Sequence, residues 1–347
     1  MTTPHDGAAT GRAAAAARAT TAAQAAAATE PAAAAAQAPA AEPAVLADAA
    51  LADRAAVADL AAAHGLALDP RSVRFNEAGL DYRVAFANDA DGAAWVLRMP
   101  RRPDVASKVG EEAAILRHVR PLLSVAVPDW RIQGEDLIAY PLLPGAVGLT
   151  LDDNNEPVWH YDRESPRHAR SLGLLIAELH GLDTGTARSA GVPGQTPEEV
   201  RREWSSVLAD VRAEFAVAPE LSARYSAWLD DDGLWPGETV FTHGELYPAH
   251  LLLDEDQDIV SVLDWTTARV GDPALDFAFH HQISGPAAFR TAVDAYTEAT
   301  GRALPRLEER CAAIFSAAPL TYARFALTTG VPEHAAAAAA LLNPAGG

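Results

Sequence analysis

Large apolar side chains are almost absent from residues 1–44, which are rich in alanine with Thr, Gln and Pro. Such a stretch buries too little surface to offset its ordering entropy. Pro31, Pro39 and Pro43 interrupt any helix the alanines start, so we expect a disordered tail. The pattern changes at Val45. Val45, Leu46, Leu51, Val57, Leu60 and Leu66 recur at the spacing of one helical face. Residues 72–100 then read as three strands, the first pair joined through Gly79 and the second by the turn NDADG. A helix follows over 106–118, with Val109, Ala113 and Leu116 on one side, and residues 127–145 supply two more strands and a connector marked by Pro and Gly.

The remainder is mostly helical in pattern. Residues 167–182 form an apolar helix and 197–230 two more, with Trp204 and Trp228 as core candidates. Strand character returns over 238–273, where LLLD and VSVLD flank a turn at Asp256–Asp258, and helices resume from Pro286. These elements predict an α+β chain of two lobes: a small five-stranded lobe with one inserted helix (45–138), a hinge connector (139–145) and a larger helical lobe (146–347).

Composition narrows the function classes. A formal charge of −20 repels phosphates and argues against a nucleic-acid partner. No apolar run is long enough to read as a membrane-spanning helix. Cys311 is the single cysteine, so no internal disulfide forms and the chain suits a reducing cytoplasm. Lys108 is the single lysine; any other phosphate-holding base must be an arginine, which brings a planar fork instead of a point charge.

The densest chemistry lies in FTHGELYPAH, residues 241–250. His243 and Glu245 follow a strand, His250 comes five residues after Glu245, and Asp264 ends the second strand of the next hairpin. Strand ends leading into loops display catalytic groups on a rigid support. The order of these groups, with an aromatic after the Asp, is that of the protein-kinase catalytic loop and its metal-holding Asp.

HGELYPAH…VLDWTTARVGDPALDFA resembles the antibiotic-kinase and choline-kinase superfamily, and NEAGLDYRVAF, WVLRMPRRPDV, VPDWRI and LIAYPLLPG make it most similar to the macrolide 2'-phosphotransferases over residues 70–330. The resemblance implies a bilobal, protein-kinase-like fold and a monomer. It implies transfer of the γ-phosphate of GTP, or of ATP, with Mg²⁺, to the 2'-hydroxyl of a macrolide amino sugar. Glu245 would orient and deprotonate that hydroxyl, with His243 counted in the catalytic set, and His250 and Asp264 would hold the metal. Arg98 stands where the family has its phosphate-contacting lysine, with Glu112 as its ion-pair partner. Gly79 and Leu80 would cover the nucleotide, and Ala139, Tyr140 and Pro141 would bond the purine through their backbone. Tyr247, Phe277, Phe279, His280 and Tyr322 are acceptor-pocket candidates. Asp272 is another, and the family pattern also has it bracing the catalytic loop. An acidic cleft would hold the acceptor's dimethylammonium group.

The chain departs from the superfamily pattern at Glu245 for Asp, His250 for Asn and Arg98 for Lys. The extra methylene of Glu moves its carboxylate by about an ångström, enough to lower phosphoryl transfer about a hundredfold when nothing compensates. Two readings therefore stand beside the macrolide kinase: a kinase of aminoglycosides or other small alcohols, and a nucleotide-binding relative without catalysis. A hydrolase metal site built on His243, Glu245 and His250 lacks HExxH spacing and leaves the VLDW hairpin unexplained.

Overall fold

The computed structural model describes residues 44–76, 81–106, 108–152 and 156–344. Residues 1–43 of the expected 1–44 tail and the nucleotide-covering turn expected at Gly79 and Leu80 lie outside the described residues. The first helix, α1, runs Ala44–Ala63 and seats Val57 and Ala61 on the small lobe. That lobe is an antiparallel sheet built from β1 (Arg74–Asn76), β2 (Tyr82–Asn88), β3 (Ala94–Pro100), β4 (Ile132–Gln133) and β5 (Ile138–Pro141), in the order β1-β2-β3-β5-β4. A short turn of helix, α2 (Pro103–Ala106), and then α3 (Val109–Val119) are inserted after β3, as the periodicity predicts. The sheet buries Ala85, Leu97, Leu137 and Ala139 on its α1 face and Val84, Val96 and Ile138 on the opposite face. This alternation is the period of two expected of a sheet covered on both sides.

Residues 139–141 are not hinge but strand. Ala139 pairs with Leu97 and Ile132, and its carbonyl accepts from the N–H of Arg131 at 2.9 Å. The ladder therefore engages the Ala139 carbonyl, one of the backbone groups expected to face the purine, and the connector begins at Leu142, which is 43% exposed.

The large lobe begins with the short strand β6 (Ala146–Val147), which pairs with a later strand at Leu252–Leu253, and the hairpin β7 (Leu149–Leu151)–β8 (Pro157–Trp159), followed by α4 (Pro166–His180) and α5 (Thr184–Ser189). Next come α6 (Pro197–Glu214) and α7 (Pro219–Asp230). The site-bearing strands are β9 (Val240–Thr242), β10 (Leu251–Leu253), β11 (Ile259–Val262) and β12 (Arg269–Gly271). Helices α8 (Leu275–Ile283), α9 (Pro286–Thr300), α10 (Leu307–Ser316), α11 (Ala318–Thr329) and α12 (Pro332–Leu342) complete the lobe. Ser165 and Thr196 cap α4 and α6, the latter in a full capping box with Glu199. Gly173 lets α4 and α9 touch, because a Cβ there would collide with the carbonyl of Ala292.

Register decides where the loops go. Thr242 lies opposite Arg269, and Leu251 opposite Val262. The end of β9, the start of β10, the end of β11 and the start of β12 therefore meet at one edge. Residues 243–250 and 263–268 emerge there together, next to the small lobe.

Candidate active site

The two loops are stitched by hydrogen bonds that need few side chains. Leu263 N–H donates to His250 O at 2.9 Å, His243 Nε2–H to Leu263 O at 3.0 Å, and Thr267 Oγ1–H to His243 O at 3.0 Å. The remaining nitrogen of His243, Nδ1, accepts from Glu245 N–H at 3.3 Å. Burial pushes His243 down to about pH 4, against the pull of Asp276, so it stays neutral near pH 7. Both ring nitrogens are occupied and the ring is fully buried. His243 positions the loop; the catalytic role expected from sequence does not fit this placement.

Gly244 has φ +83°, and a Cβ there would sit 2.9 Å from Thr267 O, so glycine is required. Its N–H donates to Asp276 Oδ1 at 2.7 Å, and His243 N–H to Asp276 Oδ2 at 3.2 Å. Asp276, fully buried on α8, is thus the brace of the catalytic loop. Sequence reasoning gave that task to Asp272. Asp272 instead accepts from Ala274 N–H and pairs with the buried Arg310 of α10. His180, from α4, supports the brace through Nε2 at 3.2 Å and meets the Tyr296 hydroxyl at Nδ1, also at 3.2 Å. No local spacing in the sequence marks His180 for this role.

Glu245, His250 and Asp264 converge so that one ligand atom of each lies within 4.8 Å of the others. The orientation of His250 is set by its Nδ1–H donating to Glu245 O at 3.1 Å, which turns Nε2 to 3.5 Å from Asp264 Oδ2. A backbone carbonyl holding the far nitrogen is the usual support of a metal-binding imidazole. Asp264 sits at φ +56°, a left-handed conformation that short polar residues tolerate. Thr266 bonds its Oδ1 through hydroxyl and N–H, at 2.5 and 3.2 Å. Burial resists the charge on Asp264, but His250, Arg98 and Thr266 outweigh it and hold the carboxyl below its ordinary range. Burial and the neighbouring Asp264 raise Glu245 well above its own. Two carboxylates and an imidazole at this separation fit a divalent cation.

Behind the cluster, Arg98 is 3% exposed and pairs with Glu112 at 3.0 Å, as the resemblance implied. Its guanidinium lies 4.1 Å over the Tyr82 ring and 5.7 Å from that of Trp130. Burial raises Glu112 and Arg98 opposes the shift. Lys108 is exposed, whereas Arg98 is buried next to the cluster.

On the other side of Glu245 opens a cavity of about 330 Å³. Val200, Glu203, Trp204 and Val207 of α6 line one wall at helical spacing, and Ala318, Thr321, Tyr322 and Phe325 of α11 line another at the same spacing. Gln195, Gly244, Thr267, Arg269, Asp272, Leu275, Phe279, Ile314 and Arg324 complete it. Of the convergent trio, only Glu245 lines this cavity, so it is the group shared by both compartments.

Of the acceptor candidates, Phe279, Tyr322 and Asp272 line the cavity. Phe277 does not: it is fully buried against Tyr296 and Phe289. Tyr247 is buried behind Phe279, with ring centroids 5.0 Å apart, and supports that wall from outside. His280 is buried with Nδ1 on Ser284 Oγ at 2.9 Å, away from the cavity. Leu275 and Phe279, four apart, share the cavity face of α8, while Phe277 faces the core. Apart from Glu245, the carboxylates that line the cleft are matched by arginines. Glu203 meets Arg324 at 2.7 Å and Arg269 at 3.5 Å, and Asp272 is matched by Arg310.

Residues 72–313 match the phosphotransferase enzyme family. The fold superimposes on the macrolide 2'-phosphotransferase MphH from Brachybacterium faecium, as apoenzyme, with 52% identity and a TM-score of 0.79, covering 84% of this chain and 98% of that one. A macrolide 2'-phosphotransferase type I gives 38% identity and a TM-score of 0.78, covering 84% and 97%. The protein YcbJ of Bacillus subtilis (strain 168) is 36% identical over 275 residues, 78% of this chain and 90% of YcbJ. With its two lobes, stitched loops and matched span, the chain belongs to the phosphotransferase enzyme family.

Proposed function

We propose that the protein transfers the γ-phosphate of GTP to the 2'-hydroxyl of a macrolide amino sugar and so confers macrolide resistance. The observation that carries this reading is the double position of Glu245, in a trio whose geometry fits a cation and on the wall of a largely apolar cavity. Two solved structures of similar sequence are macrolide 2'-phosphotransferases, which supports the acceptor.

Phosphoryl transfer needs placement and charge stabilisation more than covalent help from the protein. The nucleotide would lie between the lobes with its phosphates near Arg98. His250 and Asp264 would hold Mg²⁺, whose charge offsets that developing on the phosphoryl oxygens. Glu245 would accept the hydroxyl proton from the acceptor and aim the oxygen at phosphorus. The apolar walls from α6, α8 and α11 suit a macrolactone. Their aromatic and aliphatic lining does not suit a polycationic aminoglycoside.

The test is release of GDP from GTP with macrolides and with aminoglycosides, for the native chain and for Glu245→Ala and Glu245→Asp. We expect turnover with macrolides only, loss of at least about a thousandfold in the Ala variant, and partial activity in the Asp variant. Turnover confined to aminoglycosides would replace the macrolide reading. GTP binding without transfer to any acceptor would leave a non-catalytic relative.

A further inference from the structure

The protein carries a formal charge of −20, yet its acceptor cavity is charge-balanced by arginines. Glu203 is the centre of this balance. Projecting from α6 beside Trp204, it reaches Arg324 of α11 through Oε1 at 2.7 Å. Its Oε2 takes Gln195 Nε2–H at 2.6 Å and lies 3.5 Å from Arg269 of β12. All four side chains line the cavity. One carboxylate thus faces two guanidiniums and ties the two helical walls across the cavity. Asp272 offers no spare charge, because Arg310 is held against it.

We propose that Glu203 sets the charge tolerance of the acceptor cavity: by offsetting Arg269 and Arg324 it admits an acceptor bearing one ammonium group, an inference that rests on the macrolide reading above. An acceptor whose reacting hydroxyl is at Glu245 carries its dimethylammonium into a cavity whose other wall holds two cations. With Glu203 in place one of their two charges is offset, and the repulsion felt by the ammonium is about halved. Without it, two unit charges act on the ammonium through a cavity from which the acceptor has displaced water, where Coulomb energies are several times their bulk value. The same arrangement disfavours acceptors with several ammonium groups, since one carboxylate cannot offset both the arginines and a polycation. The role needs no direct contact between Glu203 and the acceptor.

The test separates charge from shape and binding from turnover. Acceptor dissociation constants are read from the fluorescence of the full-length chain, in which Trp204 lines the cavity. The probes are a macrolide with its dimethylamino group and the same macrolide with that group replaced by hydrogen. For Glu203→Gln we expect the ratio of the two constants, amine over neutral, to rise about tenfold relative to the native chain. Arg324→Gln should move the ratio the other way. The double variant Glu203→Gln/Arg324→Gln should recover most of the shift, which a folding defect would not produce. High salt should shrink the Glu203→Gln effect. An unchanged ratio in Glu203→Gln, or no recovery in the double variant, overturns the proposal. GDP release measured on the same samples keeps the two readings apart. Charge-dependent binding without phosphoryl transfer sinks the proposed function and leaves the Glu203 inference standing. Transfer with an unchanged ratio does the reverse, and a native chain that binds neither probe defeats both.

Discussion

Glu245 stands between two walls built on different principles. On the side of Glu245, His250 and Asp264, the loops are held by hydrogen bonds, many of them to backbone: Leu263 to His250, His243 to Leu263, Gly244 to Asp276. On the acceptor side, α6, α8 and α11 present apolar stripes whose shape is set by side-chain packing. Backbone-locked geometry tolerates few residues, because a changed partner leaves a buried group unsatisfied. A packed apolar wall tolerates many, because volume and polarity are what it must conserve. The first wall should therefore control the rate of transfer for every acceptor, and the second should control which acceptor binds.

The most damaging change short of removing Glu245 is at Asp276. Its two carboxylate oxygens accept from two backbone N–H groups and from His180. Asp276→Asn turns one oxygen into an NH₂ that faces a donor, so the loop must shift or leave donors unpaired. We expect kcat to fall by about a hundredfold or more, equally for every acceptor, because an ångström of misplacement is enough. Stability should fall by about 3 kcal/mol. Thermal unfolding and steady-state kinetics check both. A loss confined to KM for the acceptor would erase the distinction between the walls.

His250→Ala comes next. It removes one member of the trio while leaving the Asp264 carboxylate in place. The concentration of Mg²⁺ giving half-maximal rate should rise at least about tenfold, a loss of the size seen when a metal site loses a supporting group. Much of the rate should return at high Mg²⁺. A metal titration at saturating GTP is the measurement, and an unchanged midpoint would remove His250 from the metal site.

The two walls also differ in how well the sequence reveals them. The convergence of Glu245, His250 and Asp264 was legible because the groups are nearly contiguous: His243, Glu245 and His250 lie on one loop, and Asp264 ends the adjoining hairpin. Arg98 and Glu112 were legible only through the family resemblance, because on pattern alone Glu112 reads as a solvated helix face. What failed were decisions about which side of an element faces the site. Asp272 and Asp276 are four residues apart, one just before α8 and one in its first turn, and nothing local says which reaches the loop. Phe277 and Phe279 are two apart, so only one can face the cavity, and the i, i+4 partner Leu275 was the available clue. Ala139 looked like connector, but its carbonyl belongs to the sheet. Glu203, Trp204 and Arg324 come from helices whose pairing across the cavity is a tertiary fact, as is the support that His180 gives Asp276.

On the acceptor wall, Trp204→Ala tests the other half of the comparison. Trp204 lines the cavity and packs edge-on against Trp228 at 5.1 Å, which in turn stacks on Trp235. Truncation should raise KM for the macrolide about tenfold, equivalent to about 1.4 kcal/mol, and change kcat and KM for GTP by less than about threefold. A comparable fall in kcat would mean that the apolar wall takes part in aligning the reacting atoms.

The smallest effect should come from Tyr296→Phe, which probes how far outward the first wall's rigidity extends. The Tyr296 hydroxyl meets His180 Nδ1, and His180 Nε2 supports Asp276. Removing the hydroxyl takes away one buried hydrogen bond while the ring keeps its packing against Phe277 and His180. The expected cost is about 1 kcal/mol in unfolding free energy. Asp276 keeps both backbone donors, so the loop should stay in place and kcat should change by less than about twofold. Because any residual effect would act through the loop, it should be the same for every acceptor. An acceptor-dependent change would mean instead that the His180 side of α8 communicates with the cavity face carrying Leu275 and Phe279, and that the walls are coupled through that helix.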